Sequence, residues 1–203
     1  LLPPLWGERV MELNPQQKDL AFEWINHRML FRERWGYKKK GLSQEAFKRQ
    51  LHEEVQPEYE RLKGRLLDEG LFQPVVIYGY WPCKREDSTL VLYGDRRLDS
   101  ELVRMEFPRQ RQSPHRSLAD YFSDERVDVV GLSVVSVGGA IAKAEAELYE
   151  AGNFHAYYLM HGLGVELAEA LAEMVHKQMR IEMHLAGPEG ETLKDVKMQG
   201  YRG

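Results

Sequence analysis

A chain of 203 residues with a formal net charge of −4 and a hydrophobic fraction of 43% has the length to bury one real core, and it lacks the basic excess that nucleic-acid binding demands. Its longest apolar run, Val127 to Val137, is broken by Asp128, Ser133 and Ser136, so nothing in it reads as a membrane span. The single cysteine, Cys83, excludes an internal disulfide and a cysteine-based zinc site and suits a reducing compartment.

The start, Leu1-Leu2-Pro3-Pro4-Leu5-Trp6, has neither an initiator methionine nor the pattern of a signal peptide. The chain is therefore expected to be a piece of a longer cytoplasmic protein. Pro15 predicts a helix start, and the stretch to about Phe31, with Leu20, Trp24 and Ile25 apolar, reads as a short helical arm ending in the basic cluster Arg32 to Lys40. Ser43 opens a second helix whose apolar positions Phe47, Leu51, Val55, Tyr59, Leu62 and Leu66 recur every three or four residues until Gly70, with Pro57 as a point of kinking. After Pro74 the period becomes extended. Val75 to Trp81, Thr89 to Tyr93 and Leu102 to Phe107 are three strands joined by short polar linkers, a meander. A loop leads into a short helix from Ser117, and Val127 to Val137 is expected as a central strand buried on both faces. Gly138-Gly139 turns the chain into a helix from Ala140 to Ala151, and Gly152-Asn153 precedes the longest helix, roughly His155 to Met183. This order predicts one α+β domain over 1–203: a twisted, largely antiparallel sheet with flanking helices and an N-terminal helical arm.

The long helix carries two stripes. Leu159, Leu163, Leu167, Leu171 and Met174 form a core face, while Glu166, Glu169, Glu173 and Lys177 form a polar one. The polar stripe is either a solvated face closed by a Glu173–Lys177 pair or a source of carboxylates for a cationic or hydroxyl-bearing ligand. Gly138-Gly139 before a helix could receive a phosphate, but without G-x-G-x-x-G or G-K-[ST] a tight turn is the expected use. None of the seven histidines is paired at a metal-ligand spacing, so no metal site is expected.

The segments LLPPLWG, MLFRERWGYK, VVIYGYWPCK, FPRQ, HGLGVELAEALAE and QGYRG stand in this order over nearly the whole chain. Together they resemble the C-terminal activation domain of cobalamin-dependent methionine synthase. The resemblance implies a domain that binds S-adenosylmethionine for reductive remethylation of cob(II)alamin to methylcobalamin. The electron comes from a flavodoxin-type reductant and the cobalamin is held by a neighbouring domain of the same polypeptide, zinc being bound only elsewhere in the enzyme. It also implies ligand contacts at Glu169, at Gln199, and at Asn26 or His27, with no catalytic acid or base in this chain, since methyl transfer rests on positioning. Family members continue beyond Gly203 into a glycine-tyrosine segment that completes the ligand site, so the chain is expected to be truncated there. Tyr78, Gly79, Tyr80 and Trp81 are either one wall of the cleft or core aromatics around a close backbone approach at Gly79. A second reading makes the domain chiefly a docking module for the cobalamin domain and the reductant, through Arg32 to Lys40. A stand-alone methyltransferase is disfavoured, because no glycine-rich motif follows a first strand.

Overall fold

The structure is a computed structural model and describes residues 2–186 and Thr192. Helix α1 (Pro15–Trp24) begins where the sequence places it, because Asn14 and Gln17 form a reciprocal capping box: each side-chain oxygen accepts from the other's backbone N–H, at 2.9 and 3.0 Å. It does not run on to Phe31. Ile25 adopts an extended ψ of 132°, and Asn26 caps anew, its Oδ1 accepting from Met29 N at 3.3 Å. The short α2 (His27–Met29) follows and widens into a π-turn over Leu30–Arg34, closed by Trp35 N donating to Leu30 O at 2.8 Å. The second expected helix is likewise divided into α3 (Gln44–Gln50), a π-turn at Leu51–Val55, and α4 (Gln56–Asp68). Pro57 is the physical reason: it has no N–H for the carbonyl four residues back, and the ladder widens by one residue just ahead of it.

Strand β2 (Val75–Glu86) organises the sheet, and every pairing in it is antiparallel. β3 (Thr89–Tyr93) and β4 (Glu101–Glu106) complete the meander, and β1 (Gly7–Met11) is a strand that the sequence did not offer. Tyr78 lies between Arg9 and Ser133, and Cys83 between Leu92 and Asp128. β5 (Asp128–Ser136) therefore runs along one side of β2, while β1 and β3 follow one another along the other side. This corrects the expectation of a central strand at Val127 to Val137. β2 is central and β5 is an edge, with Val130 its single buried residue and Val134 69% exposed. A continuous apolar run does not separate a doubly buried strand from an edge strand whose outward face is apolar.

Helix α5 (Gly139–Glu150) follows Gly138, which has φ +96° and approaches the backbone so closely that a Cβ would stand 2.5 Å from Gln73 O. The diglycine is thus explained by a tight turn. Helix α6 (Phe154–Glu182) spans 29 residues, capped by the Asn153 side chain, and buries Leu159, Leu163, Leu167 and Leu171 as its periodicity predicts. Its first half packs with the arm, α4 and α5 in the main core, and its second half covers Val76, Tyr78 and Tyr80 on the inner face of the sheet. A smaller cluster around Cys83, Leu90, Leu92 and Val130 fills the opposite face near β3 and β4.

Candidate functional site

The arm and α6 run antiparallel, pinned at three points. Lys177 Nζ lies 5.6 Å from the ring centre of Trp24, Arg34 Nε donates to Glu166 Oε1 at 2.9 Å, and Trp35 Nε1 donates to Leu159 O at 2.9 Å. Along this seam Asn26 and His27 fall between Trp24 and Arg34, and Glu169 and Glu173 fall between Lys177 and Glu166. At about 100° per residue, Glu169 stands roughly 60° around the helix from Glu166 and 40° from Glu173.

The polar stripe therefore divides into different roles. Glu166 is only 4% exposed and serves as the anchor for Arg34. Glu169 is exposed. Glu173 is half-buried, and its Oε2 is withdrawn from solvent without a hydrogen-bond partner among the described residues, His176 Nδ1 being 3.9 Å away. Lys177 faces Trp24 in place of the expected pair with Glu173. Two carboxylates with acceptor capacity to spare thus lie on one flank of α6, an arrangement suited to a ligand that carries hydroxyls and positive charge.

The structure separates the two arm candidates. Asn26 spends its side-chain oxygen on capping α2, leaving its amide N–H groups as donors. His27 turns toward α4, stacked on Phe31 at 5.3 Å and edge-on to Tyr59 at 4.9 Å. Gln199 lies outside the described residues.

The four residues around Gly79 do not share one surface. Tyr78 and Tyr80 are each 1% exposed beneath α6, and both hydroxyls donate to the Glu182 carboxylate at 2.9 Å. Glu182 also accepts from Gln178 Nε2 at 2.9 Å and pairs with Arg9, whose guanidinium lies 4.6 Å from the ring centre of Tyr78. Burial, then the bond to Glu182, pushes the Tyr80 hydroxyl well above the usual tyrosine range. Trp81 points to the opposite face, against the Cys83 cluster. A Cβ on Gly79 would stand 2.2 Å from Gly7 O and 2.7 Å from Glu8 Cα, so the bare position admits β1. Cys83 is fully buried, and burial followed by the charge of Asp128 pushes its thiol up to about 12, which keeps it unreactive. No cluster of metal-ligating side chains occurs among the described residues, and none of their helices is long and apolar enough to cross a membrane.

Residues 22–203 match the family described as vitamin B12 dependent methionine synthase, activation domain. The chain belongs to that family. It is 32% identical over 217 aligned positions to the methionine synthase of Mycobacterium leprae and 28% identical over 221 to that of Mycobacterium tuberculosis; each alignment takes in 99% of this chain and 18% of the relative. The activation domain thus spans less than a fifth of the curated relatives it matches. Its fold is that of the MetH reactivation domain, solved bound to AdoHcy, at a TM-score of 0.79 over 99% of this chain and 64% of that one, with 20% identity.

Proposed function

We propose that this domain binds S-adenosylmethionine in the seam between the arm and α6 and serves the reactivation of a cobalamin-dependent methionine synthase. Membership of the activation-domain family over residues 22–203 carries the reading, and the similar reactivation domain bound to AdoHcy, the demethylated form of that ligand, supports it. When bound, S-adenosylmethionine supplies a sulfonium-activated methyl group which, with one electron from a reductant, converts cob(II)alamin to methylcobalamin and leaves S-adenosylhomocysteine.

This chain's own side chains bind and orient. Glu169 accepts from ribose hydroxyls or offsets the positive charge, Glu173 offers its unused oxygen beside it, and Asn26 donates to the carboxylate end of the ligand. Gln199 adds an amide, whereas His27 holds the arm against α4. No group here takes or gives a proton, and the chain contributes positioning. Cobalamin is held by a neighbouring domain of the same polypeptide, zinc belongs to another, and a flavodoxin-type reductant docks on the basic cluster Arg32 to Lys40. The whole works in the cytoplasm.

Calorimetric titration of S-adenosylmethionine into the full polypeptide and its Glu169→Gln variant tests the reading. Loss of one charge-assisted contact is expected to weaken binding about tenfold. Equal affinity of the two would remove Glu169 from the site, and no binding by the parent would overturn the function. Reactivation that falls steeply with salt while S-adenosylmethionine affinity holds would favour the docking role.

A further inference from the structure

A hollow of about 420 Å³ lies between the arm and the α3 segment, lined by His27, Arg28, Phe31, Arg32, Lys48, Leu51, His52 and Gln56. Among the described residues no carboxylate lines it. Arg28, Arg32 and Lys48 have no acid within 4.0 Å among the described residues, as is also true of Arg49, Arg96, Arg97, Arg111, Arg116 and Arg126; what sets the three apart is that they line one hollow. Arg32 is steadied from another side, its guanidinium lying 5.3 Å from the ring centre of Phe47. Three permanent cations around one concavity repel each other and raise its potential, and an anion relieves both. The wall is of a different kind. The His27 ring, stacked on the buried Phe31, and the half-buried Leu51 form its apolar part.

The backbone supplies an independent observation. Phe31 and Arg32 come from the first π-turn, and Leu51 and His52 from the second. The two irregular turns of the helical half thus meet at this hollow, and such single-turn widenings are frequent at functional sites. The volume falls in the range of small-molecule pockets.

We propose that this hollow binds a phosphomonoester carried on a flat apolar body, a ligand of mononucleotide size, separate from the seam along α6. Arg28, Arg32 and Lys48 receive the phosphate, with the two guanidinium forks suited to its paired oxygens. The His27 ring, backed by Phe31, and Leu51 receive the ring, and the Gln56 amide meets its polar edge. A phosphate dianion is favoured over a lone carboxylate because three cations line the one hollow.

The test is calorimetry and amide NMR of the 203-residue chain titrated with AMP, adenosine, inorganic phosphate and hexaglutamate. The expected result is saturable binding of AMP that moves signals of the two π-turns. Affinity for adenosine and for phosphate alone, and for AMP in Arg32→Gln and Lys48→Gln, should each be about tenfold weaker. Both substitutions replace side chains at the mouth of the hollow, and matching near-ultraviolet spectra would establish intact folding. Adenosine binding as tightly as AMP, or AMP binding unmoved in both variants, overturns the proposal. Displacement of AMP by S-adenosylmethionine overturns it by placing AMP in the seam, and tighter binding of hexaglutamate does so by making the hollow a protein-docking surface. No saturable AMP binding up to about 10 mM, a free energy near −3 kcal/mol, also refutes it.

Discussion

Glu182 is the side chain whose removal the structure reports on most directly. Its carboxylate receives two tyrosine hydroxyls and the Gln178 amide at 2.9 Å each, together with Arg9. In Glu182→Ala the Tyr80 hydroxyl keeps a longer bond to Met179 O at 3.3 Å, but Tyr78, 1% exposed, keeps none among the described residues. A hydrogen bond to a charged acceptor contributes about 1.5–3 kcal/mol, and an orphaned buried hydroxyl costs about 1–3 kcal/mol. The Arg9 pair adds little, because the arginine is 41% exposed. The two figures describe the loss of the same bond and do not add, so the expected cost is about 3 kcal/mol, or roughly 6–12 °C in Tm for a domain of this size. Urea and thermal unfolding of Glu182→Ala, Tyr78→Phe and the double variant Tyr78→Phe/Glu182→Ala measure it. The double variant should lie above the sum of its singles, because removing both partners of the buried bond leaves no orphan at Tyr78. Glu182→Ala within about 0.5 kcal/mol of the parent, the range of ordinary surface changes, would refute the idea that this carboxylate ties α6 to the sheet.

Gly79→Ala forces a methyl against the Gly7 carbonyl and should cost about 2–4 kcal/mol as β1 is pushed away; faster hydrogen exchange confined to β1 amides would confirm the locus, and unchanged exchange there would deny it. Arg34→Ala leaves Glu166 buried without its cation, a loss of about 2 kcal/mol, less than for a fully buried pair because Arg34 is 40% exposed. Arg34→Met/Glu166→Leu should regain most of it by urea unfolding. The Cys83 thiol, raised from 9.0 to about 12, favours the folded state fully below pH 9 and progressively less as pH rises through that interval. Cys83→Ala should flatten the pH dependence of stability there, and an unchanged slope would contradict the assignment.

The meander and the α6 core stripe were legible because their signals are local: Pro74 marks the change of period, and the leucines repeat on one face. β1 was not, since Gly7–Met11 has only Val10 and Met11 as apolar residues and becomes a strand through its register on β2. The break at Ile25 was foreshadowed by Asn26, a good cap placed inside an apparent helix. The π-turns shift the helical phase by one residue without spoiling it, so periodicity passed over them. The acids of α6 read alike in sequence and differ in the fold because Arg34, 132 positions away from Glu166, reaches one and not the others. The bonds from Tyr78 and Tyr80 to Glu182 span 104 and 102 positions, beyond any local pattern. Gly79 alone hinted at β1, because a strand gives up a side chain where another backbone must come close.

The edge position of β5 also governs how the isolated domain behaves in solution. Among the described residues nothing pairs with its outer side. Its nine residues hold one charge, Asp128, and neither lysine nor proline, and its outward face continues from Leu132 and Val134 onto Ile77 and Val10 across the sheet. Such an uncovered apolar ribbon is a template for another strand. The excised domain is therefore expected to self-associate through this edge as its concentration rises, and Val134→Lys, at its most exposed apolar side chain, to hold it monomeric by sedimentation.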